Sequence, residues 1–103
     1  MAEFTNEGVL STSGTVLHVG SVPVSTTLFS KVIILRFNNP AAYSLRLEKY
    51  NSVTLVTTTI YDLSLSAGDT VTDNLSYALA PYDELIATSS IAGTTYYIYG
   101  MDY

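Results

Sequence analysis

The sequence predicts an all-β chain folded as a single antiparallel β-sandwich, jelly-roll-like or Ig-like, with about seven or eight strands. Three observations carry that prediction. Apolar and polar residues alternate with a period of two in several segments, turn residues recur at fairly even spacing, and the vocabulary is Val, Ile, Leu and Thr interleaved with nine tyrosines in 103 residues. β-branched and aromatic side chains suit a pleated, half-buried surface, and short strands between regular turns are the pattern of sandwiches and barrels.

The breaks fix the segments. Gly20 and Pro23 mark one turn, Asn38-Asn39-Pro40 a second and Asn51-Ser52 a third. Ala67-Gly68-Asp69, Pro81-Tyr82-Asp83 and Ala92-Gly93 follow. No gap between them has room for a linker, so residues 15–103 read as one β-sandwich domain, preceded by residues 1–14 as an N-terminal arm or first edge strand.

The strands then fall at about 15–22, 28–37, 43–50, 53–65, 71–79, 84–90 and 94–100. Segment 43–50 sets Tyr43, Leu45 and Leu47 against Ser44, Arg46 and Glu48, a half-buried strand and not a helix. The far end of 53–65 does the same with Tyr61, Leu63 and Leu65 against Asp62, Ser64 and Ser66, after a β-branched Thr57-Thr58-Thr59. Segment 28–37 differs: Leu28, Val32 and Ile34 on one parity and Phe29, Ile33, Leu35 and Phe37 on the other leave both faces apolar. That is expected of a central strand or of a bulge that switches faces, or of a strand with one face in the core and the other on a neighbouring subunit. Segment 94–100 would carry large rings on both faces, from Thr94-Thr95-Tyr96-Tyr97-Ile98-Tyr99. The expected core is Ile34, Leu45, Leu47, Leu63, Leu65, Leu79, Leu85 and Ile98.

Composition excludes several functions. A net charge of −5 and a pI near 4.4, with Lys31, Arg36, Arg46 and Lys49 as the only cations, argue against nucleic acid and against an anionic membrane surface. The longest apolar run, Val32-Ile33-Ile34-Leu35, is far short of a membrane span. The opening Met-Ala-Glu-Phe-Thr-Asn-Glu has no signal-peptide pattern, so a soluble protein is expected. Without cysteine there are no disulfides, thiolate metal sites or cysteine nucleophiles. Hydrophobic content of 48% with 13% charged residues and a mean hydropathy of +0.29 indicate an ordered chain with a sticky surface.

No strong catalytic signature is present, and no enzyme activity, cofactor or metal is expected. His18 is the sole imidazole and reads as an ordinary strand histidine, since no nucleophile motif accompanies it. Asp69-Thr70-Val71-Thr72-Asp73-Asn74 offers oxygen ligands, but its spacing matches no calcium loop and turn-capping by Asp69 explains it more simply. Asp83 and Glu84 are neighbours that a strand points to opposite faces, and both read as solvated charge. The tyrosines carry the functional signal, because such rings bury area at low entropic cost while the hydroxyl finds a partner. Phe4, Tyr96, Tyr97, Tyr99 and Tyr103 are the candidate interface residues. With Asp102, the same tyrosines could stack on sugar rings.

From Val24 onwards the order of features resembles small all-β accessory proteins of tailed bacteriophage virions. The residues that carry the resemblance are an extended Thr26-Thr27-Leu28-Phe29-Ser30-Lys31-Val32-Ile33-Ile34-Leu35, the turn Asn38-Asn39-Pro40-Ala41-Ala42 and the strand Tyr43-Ser44-Leu45-Arg46-Leu47. Leu65-Ser66-Ala67-Gly68-Asp69-Thr70, Ala80-Pro81-Tyr82-Asp83-Glu84-Leu85-Ile86 and the closing Tyr97-Ile98-Tyr99-Gly100 complete it. Pro81-Tyr82-Asp83 departs from the Gly-Asp such a turn would have. The resemblance covers about three-quarters of the chain and lies in turn and strand grammar. It implies a non-enzymatic structural protein of the virion, assembled in the host cytoplasm, serving as a capsid decoration or a head, neck or tail component. Its partners would be copies of itself and the major capsid, portal, neck or tail proteins. The alternative is a carbohydrate- or host-receptor-binding β-sandwich.

Overall fold

The computed structural model describes residues 2–20, 30–73 and 77–102, which form nine strands and no helix. They are β1 (Ala2–Val9), β2 (Thr15–Val19), β3 (Ser30–Asn38), β4 (Tyr43–Asn51), β5 (Thr57–Leu65), β6 (Thr70–Asp73), β7 (Tyr77–Leu79), β8 (Asp83–Ser89) and β9 (Thr95–Asp102). One sheet runs β1-β9-β3-β6 with β7 also on β3, the other β2-β8-β4-β5, and every pairing is antiparallel. β6 and β7 pair with successive stretches of β3, along the expected segment 71–79. With these two counted together, the described residues give eight strands in the order of a jelly roll, and the fold class read from the sequence holds. Leu28, Phe29 and the end of the expected strand 15–22 lie outside the described residues.

Alternation builds the inner faces. In β4, Tyr43, Leu45 and Leu47 are buried, and in β8 so are Asp83, Leu85, Ala87 and Ser89. Of the expected core, Leu45, Leu47, Leu79, Leu85 and Ile98 are 0% exposed. Leu63 is a correction at 37% exposed: its pairing with Leu45 puts it on the core face, but β5 is the edge of its sheet and no described strand flanks it on one side. Leu65 is half-buried and packs against the core from that same edge strand.

Ile34 is the second correction, and its cause is a bulge. The β3–β9 register shifts between Val32 and Ile34. Before the shift Ser30 and Val32 point inward; after it Leu35 and Phe37 do, so Ile34 changes sides and is only half-buried. The two-faced apolar pattern of this segment is therefore a face switch in a central strand.

Turn chemistry closes the ends. Gly68 at φ 79° supplies the left-handed residue of the turn in which the Asp69 amide donates to the Ser66 carbonyl at 3.1 Å, while the Asp69 carboxylate accepts from the Ser66 amide at 3.1 Å. Tyr82 fills the same role at φ 69°, where glycine would be unstrained. Asp83 is a correction to its reading as solvated charge: it is 6% exposed and accepts from the Ala80 amide and the Asn51 side chain, both at 2.9 Å. Buried Asn39 ties three turns together, donating to Thr94 Oγ1 at 2.9 Å and accepting from the Ala41 and Gly68 amides.

Candidate interaction surface

Two features stand out above the scaffold, a polar cluster between the sheets and the outer face of the first sheet. The cluster begins with a second bulge, between Val16 and His18 of β2, which turns His18 inward beside buried Leu17. His18 Nε2 then lies 3.1 Å from Asp102 Oδ1 and 3.3 Å from Ser30 Oγ, and the Ser30 hydroxyl donates to the same carboxylate oxygen. The His18 ring stacks on Phe4, centroids 3.5 Å apart and planes within 2°. Gly100 makes room for that ring, since a Cβ there would stand 2.4 Å from both Phe4 Cζ and the Lys31 carbonyl.

This Ser, His and Asp are not arranged as a nucleophile triad. A triad uses one ring nitrogen for the serine and the other for the carboxylate; here both oxygens converge on Nε2, and Ser30 is 0% exposed. The cluster instead fastens β2 of one sheet to β3 and β9 of the other. His18 is thus no ordinary strand histidine, although its partners are 12 and 84 residues away and no local motif announces them.

At the opposite edge Tyr61 of β5 approaches Tyr77 of β7, whose hydroxyl donates to Asp73 Oδ2. Burial first, then the Asp73 charge, pushes the Tyr61 phenol well above its ordinary value. Burial and the hydrogen bond to Asp73 do the same to Tyr77. The Tyr61 hydroxyl is buried without a hydrogen-bond partner among the described residues.

Asp69 and Asp73 are both engaged by neighbouring groups, and no cluster of three or more His, Cys, Asp or Glu forms among the described residues.

The candidate interface residues separate by strand parity. In β9, Ile98 and Gly100 are buried, so Tyr96 turns toward the core and Tyr97, Tyr99 and Met101 turn outward. Phe4 faces inward onto His18, and Tyr103 lies outside the described residues. Directly opposed residues share a sheet face, which extends the outer surface in rows. Glu7, Tyr97 and Arg36 make one row, Thr5, Tyr99 and Ile34 the next, and Glu3, Met101 and Lys31 a third. Acids therefore line β1, bases line β3, and the tyrosines run between them. Partial burial and then the Glu3 carboxylate raise the Tyr99 phenol above its usual range. The ion pairs found among the described residues, His18–Asp102 and Arg46 with Glu48 and Asp62, include none of Glu3, Glu7, Lys31 and Arg36. A shallow depression of about 280 Å³ opens at the Glu7 row, lined by Arg36, Asn38, Thr70, Thr95, Tyr96 and Tyr97 among others.

Sequence reading found the tyrosines and missed the charges that frame them, because Lys31 and Arg36 become one side of a surface only once the β3 bulge and the β1–β9 register are known.

No protein-family model and no curated protein matches the sequence. Among solved structures, one described as "Bacillus endospore appendages form a novel family of disulfide-linked pili" is similar in fold over 99% of this chain and 84% of that one, with a TM-score of 0.52 and 8% sequence identity. That likeness concerns the fold alone. The present chain has no cysteine with which to form a disulfide.

Proposed function

We propose that this chain is a non-enzymatic structural subunit present in many copies, a bacteriophage virion accessory protein that bridges neighbours as a capsid decoration or head, neck or tail component. The observation that carries the assembly reading is the outer face of the first sheet, where outward tyrosines lie between a row of acids and a row of bases that find no ion-pair partner among the described residues. Such a face, amphipathic at its centre and charged at its rim, has the anatomy of a protein interface. The virion assignment rests on the sequence resemblance. Ser30, His18 and Asp102, with both oxygens on one ring nitrogen, serve to fasten the sheets and do not form a nucleophile triad.

The test is mass spectrometry and electron microscopy of purified particles from cells expressing the chain, with the gene intact or deleted. The reading expects the chain at fixed stoichiometry on an ordered lattice or ring, and particles of lower thermal or osmotic stability without it. Particles that contain none of it overturn the virion assignment.

A second reading, a glycan-binding module, is favoured by the depression that joins the Tyr97 ring to Asn38, Thr70, Thr95, Glu7 and Arg36. Saturable binding to an immobilised glycan array, lost in Tyr97→Ser, would establish it in place of the first.

A further inference from the structure

We infer that the outer face of the β1-β9-β3 sheet pairs with the same face of a second copy, about a two-fold axis lying in the contact plane parallel to β9. This deepens the assembly reading above and rests on it.

The charges select both the partner and the axis. Rotation about an axis along β9 lays β9 on β9 and exchanges β1 with β3. Because Glu7 and Arg36 share the row through Tyr97, and Glu3 and Lys31 share the row through Met101, the rotation sets Glu7 over Arg36 of the second copy and Glu3 over its Lys31. Symmetry repeats both pairs, so four ion pairs frame a centre of Tyr97, Tyr99, Met101 and Ile34 from each side. An axis across the strands would instead set β1 on β1 and β3 on β3, acid on acid and base on base. Within one chain these charges stand on strands two apart, and none of the ion pairs among the described residues joins them. Face-to-face sheets align to within about 30°, which the long side chains accommodate.

Size sets the expected strength. With β9 on the axis only three strands of each copy overlap, and three strands eight residues long present roughly 400 Å² in projection. That is below the ~800 Å² per partner of a standard interface, and the expected dissociation constant is on the order of micromolar. Ion pairs at the rim make it salt-sensitive.

Sedimentation equilibrium of the full chain, at low and at high salt, tests this with two one-sided variants. Glu3→Lys with Glu7→Lys makes both rows basic; Lys31→Glu with Arg36→Glu makes both acidic. The parent is expected to dimerise at low salt and to lose affinity about tenfold at high salt. Each variant is expected to stay monomeric alone, and their equimolar mixture to form a one-to-one heterodimer. The fourfold variant with all charges exchanged is expected to dimerise again. Circular dichroism and melting temperature confirm that each variant folds, which the surface position of all four side chains favours. A parent that is monomeric at low salt, one-sided variants that dimerise like the parent, or a mixture that stays monomeric overturns the inference, and a monomer that binds glycan does the same. A monomeric parent that is nonetheless found in particles sinks this pairing and leaves the proposed function standing. A dimer absent from particles does the reverse.

Discussion

The outer faces of the two sheets treat charge in opposite ways. On the second sheet Arg46 sits 3.9 Å from both Glu48 and Asp62, so a cation is neutralised by its own strand and the adjoining one. On the first sheet the tyrosine strand β9 is inserted between β1 and β3, holding acids and bases of the same rows apart. One face is electrostatically closed and the other is left open. Strand order makes that difference: Arg46 lies beside acids of its own and the adjoining strand, whereas Lys31 and Arg36 lie two strands from the acids of their rows. What it teaches is that a jelly roll can leave one face inert and prime the other simply by which strand is placed in the middle.

The most damaging way to break the comparison is to separate the sheets. Leu47→Asp buries an unpaired charge at a site 0% exposed, expected to cost more than about 4 kcal/mol. Soluble expression should be lost; a well-behaved protein would mean that the inner face is misassigned. His18→Ala is expected to cost about 2–3 kcal/mol by removing its contacts to Asp102 and Ser30 and the Phe4 stack. Its effect should be lopsided, with hydrogen exchange accelerating in β1 and the end of β9 but not in β4.

Two tyrosines at the far edge sharpen the contrast without touching either outer face. Tyr61 and Tyr77 have folded-state pKa values above the ordinary 10.0. A raised phenol stabilises the fold below the unfolded pKa and that contribution is lost as pH climbs above 10 toward the folded value. Stability should therefore fall in alkali, and less so in Tyr61→Phe with Tyr77→Phe. Tyr61→Phe alone should raise stability by about 1–2 kcal/mol, as it removes a buried hydroxyl without a partner, and should leave self-association unchanged. A Tyr61→Phe protein less stable than the parent would indicate a partner for that hydroxyl.

The smallest effects on stability carry the most information. Tyr97→Ser with Tyr99→Ser and Arg46→Ala should each change stability by under about 1 kcal/mol. Only the tyrosine pair should abolish association. Equal behaviour of the two in sedimentation would erase the distinction between the faces.

Strand identity was legible wherever alternation was clean, as in Tyr43 to Glu48, because one buried and one solvated face impose a period of two. The β3 segment gave an ambiguous pattern for a physical reason: a bulge at Ile33 and Ile34 exchanges the faces midway. Leu63 was placed on the correct face but not at the sheet edge, since edge position depends on strand order, which local sequence does not encode. The His18 cluster was illegible for the same reason, its members being joined only by long-range pairing. Tyr82 hid a left-handed turn position that glycine would have advertised.

The placement of β9 between β1 and β3 also has a kinetic side. Both of its partners, β1 and β3, are synthesised well before it, so the first sheet has no middle until β9 leaves the ribosome. Long-range β closure of this kind is slow, on the order of milliseconds to seconds, and the waiting chain exposes β1 and β3 as unpaired edges. A nascent chain stalled before Tyr96 should recruit holdase chaperones that the finished protein ignores.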